Sequence, residues 1–249
     1  MCQVLSSSVE WLRQSATIPR QVFGGGSIQL ARVYGIRIGV DPSWFVALFL
    51  IIWFLADAYG EAFPGDEFKS YALAVATALL FFFSVLLHEL GHATVAKRNG
   101  IGIAGIDLWL LGGVARMERD TDSAGLEFRV AAAGPLVTLV IALACFGAGT
   151  LMEGAAATLD AGSFDPDNDN ELLAVLGYLS FINAILLVFN LIPAFPLDGG
   201  RIARAAAWAV TGDRAQATRF AAALGRAFAF VMLAGGIFLV FYAVFALIF

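Results

Sequence analysis

The sequence predicts an all-α polytopic membrane protein with five to six transmembrane helices and short β elements at its cytoplasmic face. The first observation is composition, because 60% of the 249 residues are hydrophobic and only 14% are charged. A soluble domain carries about 25% charged residues. The second observation is a set of five uncharged apolar runs, each close to the about 20 residues that a helix needs to cross a bilayer. These runs are residues 42–56, 70–87, 130–152, 172–197 and 227–249.

Residues 1–41 are expected to form an N-terminal cytoplasmic or interfacial segment with short strands. After three consecutive glycines the stretch SIQLARVYGIRIGV (27–40) alternates apolar and polar residues, which is typical of a strand or hairpin. Residues 1–30 contain no apolar core of the signal-peptide type, so the first span is expected to serve as its own insertion signal.

Residues 42–249 are expected to form one transmembrane domain. Its spans are predicted at about 42–59, 70–95, 129–152, 172–192 and 226–249. Residues 202–222 are flanked by arginines and contain too short an apolar run to span, so they predict either an interfacial helix or an extra short one. Residues 100–119 alternate like a β hairpin with glycines at the turns, and residues 154–170 predict a disordered loop.

Charge along the chain predicts how the protein lies in the membrane. Residues 57–70 and 153–171 are acidic, whereas arginines and lysines precede the first span and follow the second. Because positive charge marks cytoplasmic segments, we expect a multi-pass protein of the inner membrane whose N-terminus faces the cytoplasm, as would any site that opens near Lys97 and Arg98. The net charge of −5 argues against nucleic-acid binding. Cys2 and Cys145 are too few for a disulfide framework or a thiolate metal site.

The stretch SVLLHELGHATVAKR (84–98) holds both histidines of the chain and carries the strongest chemical signal. On a helix His88 and His92 lie on one face, so both can offer a nitrogen to one metal ion. Glu89 lies to the side, where a carboxylate can take a proton from metal-bound water, as in H-E-x-x-H metalloproteases. Gly91 is expected to leave room for a substrate backbone. The alternative is a pair of hydrogen-bonded interfacial histidines, but ionisable groups at membrane depth cost about 2.5–3.5 kcal/mol each and favour a functional site.

A catalytic zinc site needs three protein ligands, so a further ligand must come from elsewhere in the chain. Asp198 in FNLIPAFPLDGGR (189–201) follows 26 uncharged residues. Pro193 and Pro196 interrupt the helix before it, and the backbone groups they free must be satisfied by protein or by water in a cavity. Asp198 is therefore the candidate third ligand, and the alternative is an ion pair between Asp198 and Arg201 at the membrane surface.

Taken together, HELGH and FNLIPAFPLDGGR resemble the motifs of the site-2 proteases, the intramembrane zinc metalloproteases, and specifically of their compact bacterial and archaeal members. AAAGPL (131–136) and LGGVARMER (111–119) add to this resemblance, which runs from about Tyr34 to the end of the chain. It implies one Zn²⁺ ion held by His88, His92 and Asp198, with Glu89 as the general base and acid.

The resemblance also suggests further site residues. Asn190, eight positions before Asp198, matches an asparagine that the family is thought to use near the scissile carbonyl, and Asn183 is a weaker candidate. Gly112 and Gly113 match the region expected to bind an extended substrate. The chain departs from the family at Thr138, where an asparagine is common.

The resemblance implies hydrolysis of peptide bonds within or near transmembrane segments of membrane proteins. The expected partners are the lipid bilayer and a transmembrane substrate, for example an anti-sigma factor or a signal-peptide remnant. The alternative function is that of a non-proteolytic membrane metal-binding protein or a metal transporter. A transporter would line a path with several ligand clusters, and this sequence contains one.

Overall fold

A computed structural model describes residues 27–248, except Leu111 and residues 165–169. The predictions made for residues 1–26 lie outside the described residues. The strands are β1 (Ile28–Val33), β2 (Ile36–Val40), β3 (Ile103–Trp109) and β4 (Gly112–Met117). The helices are α1 (Pro42–Ala62), α2 (Glu67–Arg98), α3 (Ala124–Glu153), α4 (Ala155–Ala161), α5 (Glu171–Leu191), α6 (Asp198–Thr211) and α7 (Arg214–Ile248).

Five of these helices are long and apolar enough to cross a membrane, namely α1, α2, α3, α5 and residues Arg214–Ala243 of α7. The predicted polytopic helical fold is therefore confirmed. Helix α6 has 14 residues and is about 21 Å long, which is less than the hydrocarbon thickness of about 30 Å. The part of the chain that the structure describes thus contains five candidate spans.

The segment predicted as one helix over 202–222 is divided between two helices. Gly212 ends α6 with a left-handed backbone conformation (φ 69°), which glycine adopts without strain. Asp213 then begins α7, because its Oδ1 accepts the backbone N–H groups of Ala215 at 2.7 Å and Gln216 at 3.1 Å. Gly212 therefore ends α6 and Asp213 caps the N-terminus of α7, and these two residues set the boundary between the helices.

The four strands form one sheet in the order β1-β2-β3-β4, at the end of the molecule where α2 ends and α3 begins. Both predicted hairpins are antiparallel pairs, and a parallel pairing of β2 with β3 joins them. The buried carboxylate of Asp107 on β3 lies 2.6 Å from Arg116 on β4 and 3.4 Å from Arg37 on β2. One face of the sheet packs on α2 through Ile36, Ile106 and Ala93.

The sequence predicts a disordered loop over residues 154–170, but this segment includes helix α4. Thr158 and Ala161 of this helix are buried against α3 and α5. The close approach depends on Gly149 and Gly177, since a Cβ at either position would lie 2.7 Å from an atom of Thr158. The pattern of this short polar segment gave no indication of these distant glycines.

A buried ion pair joins α3 to α6. Glu127 is fully buried, and its Oε1 accepts a hydrogen bond of 2.6 Å from Arg204 Nε and a second one from Arg204 Nη2. The Arg204 guanidinium also lies 5.5 Å from the centre of the Phe195 ring. Because Asp198 is the first residue of α6, this ion pair fixes the helix that carries it.

Replacing Arg204 should reveal how strongly this ion pair holds the fold. Arg204→Met leaves Glu127 buried without its counter-ion, and we expect a loss of about 3–5 kcal/mol in the free energy of unfolding. The control is Lys69→Met, which removes a half-exposed ion pair with Glu171 at the other end of the bundle. Unfolding in detergent measures both variants, and equal effects from the two would contradict this role for the buried pair.

Candidate metal centre

Helix α2 presents two buried histidines to a point between α2 and α6. His88 and His92 are 4% and 3% exposed, and their Nε2 atoms lie 3.1 Å apart. Asp198 Oδ2 lies 3.0 Å from Nε2 of His88 and 3.1 Å from Nε2 of His92. Side chains that are 106 and 110 residues apart in sequence therefore meet at one point.

The opposite ring nitrogens of both histidines contact helix α3. Nδ1 of His92 lies 2.7 Å from the backbone oxygen of Val130, and Nδ1 of His88 lies 2.8 Å from Oγ1 of Thr138. A carbonyl oxygen can only accept a hydrogen bond, so Nδ1 of His92 carries the proton. The Nε2 atom of His92 then offers a lone pair to the centre of the site.

This arrangement suits a metal ion. When Nδ1 of His88 donates to Thr138 in the same way, two nitrogen lone pairs and a carboxylate oxygen face one another without a hydrogen between them. A cation would satisfy all three. Their separations of 3.0–3.1 Å are near the about 3.3 Å expected for ligands at about 2.0–2.1 Å around a tetrahedral ion. Two imidazoles and a carboxylate form a donor set that suits Zn²⁺.

Gly134 on α3 creates the space in which the donor atoms meet. A Cβ at this position would overlap Nε2 of His92 and would lie 2.7 Å from Nε2 of His88. Gly91 on α2 allows the helices to approach, because a Cβ there would lie 2.9 Å from the carbonyl oxygen of Ala133. Gly91 thus faces α3, and the expectation that it leaves room for a substrate backbone is wrong.

Asp198 is held by an irregular connection between α5 and α6. Helix α5 ends at Leu191, and the predicted interruption by Pro193 and Pro196 is present in residues 192–197. Gly199 and Gly200 let the first turn of α6 lie directly on the backbone of this connection. Among the described ion pairs Asp198 contacts the two histidines and not Arg201, so the surface ion pair considered as the alternative is absent.

Glu89 lies outside the donor set and faces the sheet. A Cβ at Gly113 of β4 would overlap the Glu89 side chain, and the backbone of Ala115 lies beside its carboxylate. Glu89 follows His88 directly and precedes His92 by three positions, so it lies on the same turn of α2 as the two histidines. A carboxylate that is close to the donor set without belonging to it is available for proton transfer.

The two candidate asparagines occupy different surroundings from the metal-binding side chains. Asn190 donates to its own helix, to the carbonyl oxygen of Leu186 at 3.0 Å, and Asn183 donates to Leu179 at 2.8 Å. Within the described residues neither amide hydrogen-bonds to the histidines or to Asp198. Gly112 adopts a positive φ of 134° at the start of β4, a backbone conformation that glycine adopts without strain.

Three contributions of α3 were not identified from the sequence as parts of the site. They are the carbonyl of Val130, the space at Gly134 and the hydroxyl of Thr138. Their spacing of four residues puts them on one helix face, which matches the spacing of the two histidines on α2. The AAAGPL stretch and this four-residue spacing are the two sequence features that could have indicated the contribution of α3 to the site.

Comparison with known proteins relates this chain to one family of peptidases. The profile of peptidase family M50 matches residues 76–235. Rip3 of Mycobacterium tuberculosis is 37% identical over 212 residues, which cover 85% of this chain and 51% of Rip3. The zinc metalloprotease MJ0392 of Methanocaldococcus jannaschii is 35% identical over 211 residues, covering 85% of this chain and 54% of that protein. The chain thus spans about half the length of the curated relatives it matches.

A solved structure shares the fold. The site-2 protease from Methanocaldococcus jannaschii superposes with a TM-score of 0.57 at 32% sequence identity, and the alignment covers 86% of each chain. Because 86% of the chain is aligned, the likeness in structure extends well beyond the H-E-x-x-H helix.

A substitution at Gly134 tests the metal centre directly. Gly134→Ala places a methyl group among the donor atoms. We expect zinc affinity to fall by about 100-fold or more, because loss of a hydrogen-bond partner behind a metal ligand already lowers affinity by up to about 100-fold. Gly147→Ala is the matched control, because it lies on the same helix and its Cβ would meet no atom within 4 Å. Competition with a chelator measures both affinities, and unchanged binding by Gly134→Ala would exclude this centre.

Proposed function

The chain belongs to peptidase family M50, and from this premise we propose that it is an intramembrane zinc metalloprotease that cleaves membrane proteins within or near their transmembrane segments. The observation that carries the proposal is the convergence of His88, His92 and Asp198, with Glu89 beside them. Both histidines and Glu89 lie on α2, a helix that is long and apolar enough to cross a membrane. The relatives support it, because MJ0392 is named a zinc metalloprotease and the solved structure is a site-2 protease.

Each site residue has a distinct task in the proposed hydrolysis. Zinc held by the three donors would act as a Lewis acid that polarises a carbonyl and lowers the pKa of water to about 7. Glu89 takes the proton from the attacking water and delivers it to the nitrogen of the leaving amine. The backbone carbonyl of Val130 accepts from Nδ1 of His92 and keeps this ring oriented while Glu89 changes its protonation state.

We propose that water enters from the cytoplasmic side of the inner membrane. His88 lies ten residues before Arg98, where α2 ends, so it is about 15 Å from that end of the helix. Lys97 and Arg98 form the last turn, and positively charged ends of spans face the cytoplasm. The first residue of α1 would lie on the same side, because α1 and α2 run in opposite directions, and this supports a cytoplasmic N-terminus.

The free edge of β4 is suited to hold an extended substrate. A transmembrane helix must unwind before cleavage, since its carbonyl groups are bonded within the helix. Within the described sheet β4 pairs only with β3, so its other edge can bind an extended peptide by β-augmentation. Gly113 of this strand adjoins Glu89, so a peptide bound along β4 would lie next to the proposed base.

We propose single-pass membrane proteins as substrates, in the class of anti-sigma factors and signal-peptide remnants. Such chains present one apolar helix, which can approach the spans laterally. A transport function would require donor groups at several depths, and the described residues contain one cluster of three metal-binding side chains. This single cluster favours hydrolysis over transport.

Glu89→Gln separates metal binding from catalysis. We expect this variant to keep zinc affinity and to lower the rate of cleavage by about 10²–10⁴-fold, because glutamine cannot take the proton. Proteomics of membrane fragments from cells with wild-type enzyme or with Glu89→Gln identifies substrates, which are then assayed in proteoliposomes. His88→Ala should lose both zinc and cleavage. Cleavage at the wild-type rate by Glu89→Gln would overturn the proposed mechanism.

Gly113→Ala should disturb the base without disturbing the donors. The added methyl group displaces the Glu89 side chain, so we expect slower cleavage at unchanged zinc affinity. Val114→Ala is the control, because alternate residues of a strand point to opposite faces and Val114 points away from Glu89. Loss of zinc affinity in Gly113→Ala, or equal cleavage rates in the two variants, would show that Gly113 does not act through Glu89.

A further inference from the structure

At the metal centre the residues of α3 that contact the histidines have the same four-residue spacing as the histidines of α2. Val130, Gly134 and Thr138 follow one another at intervals of four residues, as do His88 and His92 on α2. The carbonyl of Val130 accepts from His92, Gly134 leaves space for both Nε2 atoms, and the Thr138 hydroxyl lies against His88. All three α3 residues are buried.

We propose that Thr138 is a positioning residue that holds His88 in the orientation and tautomer required for metal binding, and so sets the zinc affinity of the site. This inference rests on the proposed function, because it concerns the same metal centre. It gives a task to Thr138, where the chain departs from the asparagine that is common in the family.

The geometry of the Thr138 hydroxyl supports a task outside its own helix. A threonine inside a helix commonly donates to the carbonyl four residues before it. Thr158, Thr211 and Thr218 follow this rule, with distances of 2.8–2.9 Å to the carbonyls of Gly154, Ala207 and Arg214. Thr138 Oγ1 instead makes a 2.8 Å hydrogen bond with Nδ1 of His88 in the neighbouring helix.

The two histidines depend on their outer partners in different ways. His92 donates to a backbone carbonyl, which every residue type at position 130 supplies. His88 depends on a side chain, so the residue type at position 138 decides whether Nδ1 has an acceptor. Without one, a buried N–H group loses its partner, or the ring turns and offers N–H in place of a lone pair to the metal.

Three variants test the inference. Thr138→Val keeps the shape of the side chain and removes the acceptor, and we expect zinc affinity to fall about 10–100-fold, which is the usual effect of losing such an outer partner. Thr138→Ser retains a hydroxyl and should bind zinc nearly as tightly as the wild type. The matched control is Thr77→Val on α2, which removes a buried 2.8 Å hydrogen bond to Tyr59 and should leave zinc affinity unchanged.

The measurements distinguish a positioning role from a structural one. Zinc affinity is measured by chelator competition, the ligand geometry by the absorption spectrum of the Co²⁺-loaded protein, and the fold by thermal unfolding without metal. We expect Thr138→Val to change the affinity and the spectrum, and Thr77→Val to change only the unfolding temperature. Equal zinc affinity in Thr138→Val and wild type would overturn the inference, as would a loss that Thr138→Ser does not restore.

His88→Ala distinguishes failure of this inference from failure of the proposed function. If His88→Ala loses zinc while Thr138→Val binds it like the wild type, the metal centre stands and the positioning role is wrong. If His88→Ala binds zinc as tightly as the wild type, the metal centre itself is wrong and the inference fails with it.

Discussion

The close contact between α2 and α3 is the constraint on which the rest of the site depends. Gly91 lies against the carbonyl of Ala133, and Gly134 lies against the imidazole rings, so neither helix has a side chain at the point of closest approach. At this separation both Nδ1 atoms reach acceptors on α3. A wider separation would leave two buried N–H groups without partners and would release the rings that carry the donor atoms.

Unpaired polar groups inside a membrane protein lower its stability. The polar pairs around this site are made with residues of α3. Val130 and Thr138 hold the histidines of α2, while Glu127, one turn before Val130, binds Arg204 of α6. Helix α3 therefore fixes both halves of the donor set, the two histidines directly and Asp198 through the helix that it begins. The same contacts that satisfy buried polar groups also bring the three ligands to one point.

The sequence predicted the features that depend on local pattern. Composition and apolar run length identified the spans, and the spacing of His88 and His92 places them on one helix face in any α-helix. Asp198 could be found because it is a lone carboxylate after an interrupted apolar run. Contacts between distant segments could not be predicted in this way. The partner of Thr138 is fifty residues away, the parallel pairing of β2 with β3 joins two separate hairpins, and α4 forms because glycines on α3 and α5 let it approach.

The position of the proposed base defines the side from which a substrate can approach. The three donors are enclosed, because α3 covers the histidines with Gly134 and Thr138, and Asp198 is buried at the start of α6. Glu89 instead lies against β4, whose outer edge has no strand partner in the described sheet. A peptide paired with this outer edge would lie beside Glu89, the residue that follows the metal-binding His88. The sheet then has two connected tasks in the proposed protease, since the strand that can hold the extended peptide also forms the wall beside the base.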